Sequence, residues 1–331
     1  MTIDLLVLGG TAWLGGAVAR AAGDRGHRVT CLARGESGTP PDHVTWVRAD
    51  RARPDAYDEV AGRHWDAVVD VSWQPELVTS ALARLATTTD HWVYVSSSSV
   101  YADDATPGAA EDAPLHRAHD LPGPVDRSSY GEAKVACERR CVQAMGDDRV
   151  LLARAGLIVG YGDPSDRFGY WPARLDRAGD GEPVLVPPLA APVQLVDVED
   201  LAQWLVTCCE RRTAGPMNAV GPVTTLRDVL ATCQAATGRS PRLVEATHEW
   251  LSARQVEPWS GPESLPLWVP HPEYAGHMTR RNDAAVAAGL TLRPLARTVA
   301  GSLTWERSLG PDRERHAGLS RAREAALLAA L

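Results

Sequence analysis

The sequence predicts an α/β fold, a doubly wound parallel sheet with a smaller C-terminal lobe, and three observations predict it. The chain opens on strand, glycine turn, helix and strand. Further short apolar runs follow, most of them separated by helical segments. Long stretches rich in Pro, Gly and charge interrupt this pattern only later in the chain. Apolar runs without alternation are what strands buried on both faces require, and the helices between them supply the crossovers that parallel pairing needs.

The elements follow in order. Ile3 to Leu8 (IDLLVL) is a short apolar strand ending in Gly9-Gly10, a helical stretch runs from about Leu14 to Gly26, and Arg28 to Leu32 is the second strand. Val44 to Val47, Ala67 to Val71, His91 to Val95, Val150 to Ala153 and Val193 to Val196 read as further buried strands. Thr106 to Ser128, Gly160 to Pro172 and Glu257 to Pro272 read as long loops, and loops of that length in a compact α/β protein usually cover a site. Gly310 to Leu331, rich in Arg, Ala and Glu, reads as a surface helix or a frayed tail.

The chain has 331 residues, a hydrophobic fraction of 44% and a formal net charge of −8. An acidic chain without a basic stretch lacks the footprint that phosphate binding needs, which excludes nucleic acid and acidic membrane surfaces as partners. The opening residues have no basic leader and run straight into a strand, and no run of 18 apolar residues occurs, so the expected compartment is the cytoplasm. The six cysteines show no CxxC spacing and no paired His motif, so neither a metal site nor a disulfide framework is expected. Cys137 and Cys141, one helical turn apart, are either a redox pair or buried inert thiols.

The first turn, Gly9-Gly10-Thr11-Ala12-Trp13-Leu14-Gly15, places small residues between a strand and a helix. A backbone bare of side chains there lets a pyrophosphate approach the helix N-terminus, the Rossmann-like arrangement for a dinucleotide. At the end of the second strand an NAD site normally presents an acid to the ribose diol. Here Ala33-Arg34 stands instead, and a guanidinium suits a 2′-phosphate, so NADP is favoured with NAD still possible. Asp50, after the third strand, is placed to accept a hydrogen bond from the adenine amine.

The chain contains one lysine, Lys134, four residues after Tyr130 in Ser129-Tyr130-Gly131-Glu132-Ala133-Lys134; every other Lys/Arg position is arginine. On a helix the two share a face, and an ammonium beside a phenol favours the phenolate, which makes the pair a general acid/base. A Tyr and a Lys on a solvated helix would show the same spacing. Upstream, the strand His91 to Val95 runs into Ser96-Ser97-Ser98-Ser99-Val100-Tyr101, and a hydroxyl at a parallel strand's carboxyl end can donate to a substrate carbonyl oxygen.

On GGTAWLG, Ala49-Asp50-Arg51, SSSSVY, YGEAK, the RAGLIVGYGD stretch from Arg154, VQLVDVEDLA from Val193 and MNAVGP from Met217, the chain resembles the extended short-chain dehydrogenase/reductase superfamily in its epimerase/dehydratase branch, over roughly residues 3 to 305. The resemblance implies Tyr130 as the catalytic tyrosine, Lys134 as its ribose-binding partner and Ser97 as the carbonyl-orienting hydroxyl. It implies a nucleotide held by Gly9, Thr11, Ala12, Trp13, Leu14, Gly15, Arg34, Asp50, Arg51, Ser72 and Lys134. Residues 1–160 would then be the nucleotide-binding core, and 161–331 mainly a substrate-binding lobe with a strand and helix around 193–208 returning to the core. Three departures bear on chemistry. Ser98-Ser99 replace the Asp-Glu pair of the dehydratases, Leu157 and Val193-Gln194 replace residues that reach a sugar diphosphate, and Ala12 replaces a glycine, which loosens or reshapes the turn.

Eleven tryptophans against one phenylalanine make the pocket side aromatic. Trp73, Phe168, Tyr170, Trp171 and Trp259 are expected to line a pocket for a less polar small-molecule substrate, together with Ser98 and Ser99. The leading expectation is an NADP-dependent carbonyl reductase or alcohol dehydrogenase. An epimerase that retains its nucleotide uses the same residues, and a non-catalytic dinucleotide sensor would need neither Tyr130 nor Lys134. The resemblance also implies a homodimer through the helix of Tyr130, whose exposed face would offer Ala133, Ala136 and Cys137.

Overall fold

Strand β1 (Asp4–Leu8), helix α1 (Trp13–Asp24), β2 (Arg28–Ala33), β3 (Thr45–Arg48), β4 (Trp65–Asp70), α2 (Pro75–Leu85), β5 (Thr89–Ser97), α3 (Tyr130–Met145) and β6 (Val150–Ala155) follow one another in the computed structural model, which describes residues 1–269, 272–311 and 313–331. These six strands and the strand Gly215–Ala219 form a 7-stranded sheet in the order β3, β2, β1, β4, β5, β6, Gly215–Ala219, with every pair parallel. The order reverses between β1 and β4, the place where such sheets open a crevice at their carboxyl ends. Leu8 lies opposite Asp70 and Asp70 opposite Tyr94, so the strand ends around that crevice are level.

Alternation along the buried strands feeds two cores. Leu5, Val7, Ala67, Val69 and Val93 face α1 and a later helix, α5 (Val198–Arg211), while Leu6, Leu8, Val68, Trp92 and Tyr94 face α2 and α3. A third core belongs to the C-terminal lobe, where α4 (Tyr170–Arg177) and the helices Leu226–Thr237 and Leu295–Leu309 pack together.

The structure corrects the sequence in three places. The run Val193 to Val196 does not join the large sheet: Pro192–Val193 pairs antiparallel with Thr224–Thr225, and Leu195–Asp197 pairs with Leu157–Val159. The strand that returns to the sheet is Gly215–Ala219, whereas α5 does return, packing on α1. Of the two readings of the C-terminal stretch the helix holds: Arg321–Ala329 is helical and buries Glu324 and Leu327, with Glu324 paired to Arg174 at 2.6 Å. Finally, Ala133, Ala136 and Cys137 are buried within the chain, so α3 has no apolar outer face of the expected kind. The loop expected from Glu257 to Pro272 carries a short strand pair, Glu257–Trp259 with Ser264–Pro266; its residues 270 and 271 lie outside the described residues. No helix among the described residues is long and apolar enough to cross a membrane.

Candidate functional site

Gly9 turns the chain out of β1 at φ +93, and a Cβ on Gly15 would stand 2.2 Å from the Gly9 carbonyl oxygen. Only glycine permits both, so α1 starts tight against the strand end. Its N-cap, Ala12, carries no side-chain cap and its first turn holds no acid. The first amides of such a helix lack helical acceptors and face the crevice with the positive end of the helix dipole. Ala12 sits at φ −74 and ψ 159, an extended conformation open to any residue, and its amide donates to Gly9 O at 3.0 Å. The substitution for glycine therefore leaves the turn intact rather than loosened. A cleft of about 290 Å³ opens beside this turn, walled by Thr11, Ala12, Trp13, Arg20, Thr39 and Glu199 among others.

Arg34 extends from the end of β2 with its side chain 55% exposed, held only by Glu36 at 2.9 Å. Asp50 stays half-buried and accepts from the Ala52 amide. Arg51 departs from expectation. It grips the fully buried Asp70 with two hydrogen bonds of 2.8 and 2.7 Å and also reaches Tyr57 and the Leu77 carbonyl, so it ties β4 to α2 rather than facing a nucleotide.

The reacting end forms where α3 meets the turns after β4 and β5. A Cβ on Gly131 would lie 2.3 Å from Ser99 O, so the glycine after Tyr130 lets the first turn of α3 press onto the serine turn. That turn is internally braced, since Ser97 Oγ accepts from the Ser99 amide and donates to Ser99 Oγ, both at 3.1 Å. Tyr130 is half-buried, with its ring centroid 5.5 Å from that of Trp73. Lys134, one turn on, is 3% exposed; Nζ donates to Val95 O at 2.6 Å and Ser72 O at 3.1 Å and lies 5.8 Å from the Tyr130 ring centre. Two of its three N–H groups thus close the ends of β4 and β5, and one remains. A planar guanidinium fork does not match two carbonyls that converge on one nitrogen, whereas a compact ammonium does.

The sequence reading missed three residues here. Glu138 continues the buried stripe of α3 below Lys134, accepts from Ser96 Oγ at 2.6 Å and holds Arg154 of β6 in a bidentate pair at 3.0 and 2.9 Å. Burial works against the Arg154 charge, but Glu138 more than offsets it and its proton is held more firmly than usual. A carboxylate at a core position of the helix period was the available signal. The third is Arg167, in the loop before α4. Its guanidinium lies 5.0 Å from the Trp259 ring centre and close enough to Tyr130 for their charges to interact.

Among the expected pocket residues, Trp73 lies beside Tyr130, Ser98 and Ser99 lie in the braced turn, and Trp259 lies on Arg167. Phe168, Tyr170 and Trp171 do not line the crevice. All three are wholly buried in the lobe core, where Trp171 Nε1 donates to Pro266 O at 2.9 Å. Cys137 and Cys141 are also fully buried, and burial pushes the Cys137 thiol up to about 11, which leaves it inert.

Comparison with known proteins gives the family and the fold. Residues 5–220 match the model of the NAD dependent epimerase/dehydratase family. A 2′-dehydrokanamycin reductase of Streptomyces kanamyceticus is 31% identical over 269 residues, 77% of this chain and 72% of that protein. Among solved structures, the Bordetella bronchiseptica enzyme WbmH in complex with NAD+ superposes with a TM-score of 0.67 at 17% identity, covering 94% of this chain and 100% of that one. A UDP-glucose 4-epimerase of Thermotoga maritima gives 0.66 at 14%, covering 93% and 99%. At those identities the superpositions speak for the fold alone.

Proposed function

Because the chain belongs to the NAD dependent epimerase/dehydratase family and is an NAD(P)-dependent enzyme of the extended short-chain dehydrogenase/reductase type, we propose that it is an NADP-dependent oxidoreductase of a small-molecule carbonyl or secondary alcohol. The observation that carries this reading is the lone lysine: buried, fastened to two strand ends and set one turn behind Tyr130 beside the serine turn.

The nucleotide site fits the group. The uncapped start of α1 suits the pyrophosphate, and the exposed Arg34 at the end of β2, paired only with the likewise exposed Glu36, suits a 2′-phosphate. Bound there, a nicotinamide would supply or accept the hydride. The chain's own residues do the rest. Ser97 Oγ, released from Ser99, orients the carbonyl oxygen. Tyr130 gives that oxygen its proton in reduction and takes it in oxidation. The remaining N–H of Lys134 holds a ribose hydroxyl while its charge favours the phenolate.

Stopped-flow titration with NADPH and NADH, followed by turnover of a carbonyl panel, tests the reading. NADPH should bind more tightly, and Arg34→Ala should cost NADPH about 10- to 100-fold while leaving NADH unchanged, as expected for one charge-assisted contact. Tyr130→Phe should lower turnover at least about 100-fold with nucleotide binding intact. Wild-type turnover in Tyr130→Phe refutes the mechanism. NAD that stays bound through purification, with no net consumption, would mark the family's epimerase chemistry instead.

A further inference from the structure

Arg167 is a cation without a matching carboxylate among the described residues. Its Nε donates only to Ser165 Oγ at 3.3 Å, and no acidic group among the described residues lies within ion-pair distance. Burial lowers its hold on its proton more than the nearby Asp163 raises it, and the charge of Arg127 lowers it slightly further. Asp163 itself is buried, with Oδ1 taken by the Ser165 amide and Oδ2 without a partner. The chain thus sets a charge within electrostatic reach of Tyr130 and, among the described residues, gives the guanidinium's Nη groups no protein acceptors.

The residue above it is held just as deliberately. Trp259 occupies φ +68, a strained region that bulky side chains rarely adopt. That turn lays the indole on the Arg167 guanidinium at 5.0 Å and against the edge of His277 at 5.1 Å. A planar fork fixed on one face by an indole is pre-organised to meet a planar or tetrahedral oxyanion in its own plane.

We propose that Arg167, clamped beneath Trp259 in the loop before α4, is the anion-binding end of the substrate pocket, so that the carbonyl substrate carries a carboxylate or phosphate group. The proposal rests on the oxidoreductase reading for its carbonyl, but not for its anion. It replaces the expectation of a less polar substrate: the aromatic surface at this end serves to orient a charge.

The test uses the full chain saturated with NADP+, which cannot reduce a ketone, and calorimetric titration with matched probes. Phenylpyruvate is compared with its methyl ester, and dihydroxyacetone phosphate with dihydroxyacetone. In the wild type at least one anion should bind about 10- to 100-fold more tightly than its neutral partner. Arg167→Gln should remove most of that preference, while Arg167→Lys, which keeps the charge and loses the fork, should retain part of it. Which pair shows the preference tells carboxylate from phosphate. Equal affinity within both pairs, absence of binding by both anions, or a preference that survives Arg167→Gln overturns the proposal. Turnover of the same probes with NADPH is scored separately. Anion preference without any NADPH consumption keeps the subsite and removes the reductase.

Discussion

Gly131→Ala measures how closely α3 is pressed onto the serine turn. The added Cβ would stand 2.3 Å from Ser99 O and 3.0 Å from His116 Cδ2. A carbon needs about 3.3 Å from a carbonyl oxygen, so the two backbones must part by about 1 Å. Alanine in place of glycine favours the helix by about 1 kcal/mol at most, and less in a first turn. Overpacking against backbone, which cannot swing aside, costs about 1–3 kcal/mol. The second effect wins, and the variant should unfold at lower urea by an amount equivalent to about 1–2 kcal/mol. Turnover should suffer more, because about 1 Å of misplacement between Tyr130 and Ser97 is worth roughly 100-fold in rate. Urea midpoints and NADPH-dependent turnover are measured side by side. A variant as stable and as active as the wild type would show that the close approach does not set the geometry of the Tyr–Ser pair.

Three further outcomes follow from buried charge. Lys134→Arg should be destabilised by about 1–3 kcal/mol through overpacking and lose turnover, whereas an ordinary surface lysine would tolerate the change; urea midpoints and rates decide. Glu138→Ala leaves Arg154 buried and unpaired and should cost about 3–5 kcal/mol, while Glu138→Leu with Arg154→Met should cost far less; similar losses in the two variants would contradict a buried ion pair as the cause. Asp163 is raised above the ordinary carboxylate value of 3.8 by burial, so the folded state holds its proton more firmly than the unfolded one. Its contribution is favourable in acid and is lost as pH rises from 3.8 through the folded value. Asp163→Asn should therefore be more stable than the wild type near pH 7 and lose that advantage toward pH 4, as urea midpoints at the two pH values will show.

The nucleotide half was legible because its strands are continuous apolar runs and its glycines sit where only glycine fits, both of which are properties of sequence order. Lys134 was legible by contrast, as one lysine against a background of arginine. The same background hid Arg167, which looks like any other arginine until Trp259 is seen lying on it. Phe168, Tyr170 and Trp171 were misplaced because a position near a strand end reveals which loop holds a side chain, not toward which side it turns; three large aromatics turned into the lobe to fill it. Val193 to Val196 misled for a related reason. A short valine-rich run is equally suited to a large sheet and to small strand pairs, and the choice lies with partners far along the chain. Arg51 had no distinguishing mark, since an arginine after an acid near a strand end serves a ligand or a buried aspartate with equal ease. Gly131 escaped notice because its constraint comes from Ser99, 32 positions earlier.

The two carbonyls that hold Lys134 belong to the protein's own strand ends. When the nucleotide departs, the ammonium is therefore not stranded in a dry cavity, and the emptied crevice need not collapse or flood to satisfy it. Traffic through the site can then be paced by the contacts on pyrophosphate and adenosine alone, with the proton-handling apparatus standing ready between turnovers. Such a resting state leaves the site whole whether its nucleotide is exchanged at each cycle or kept.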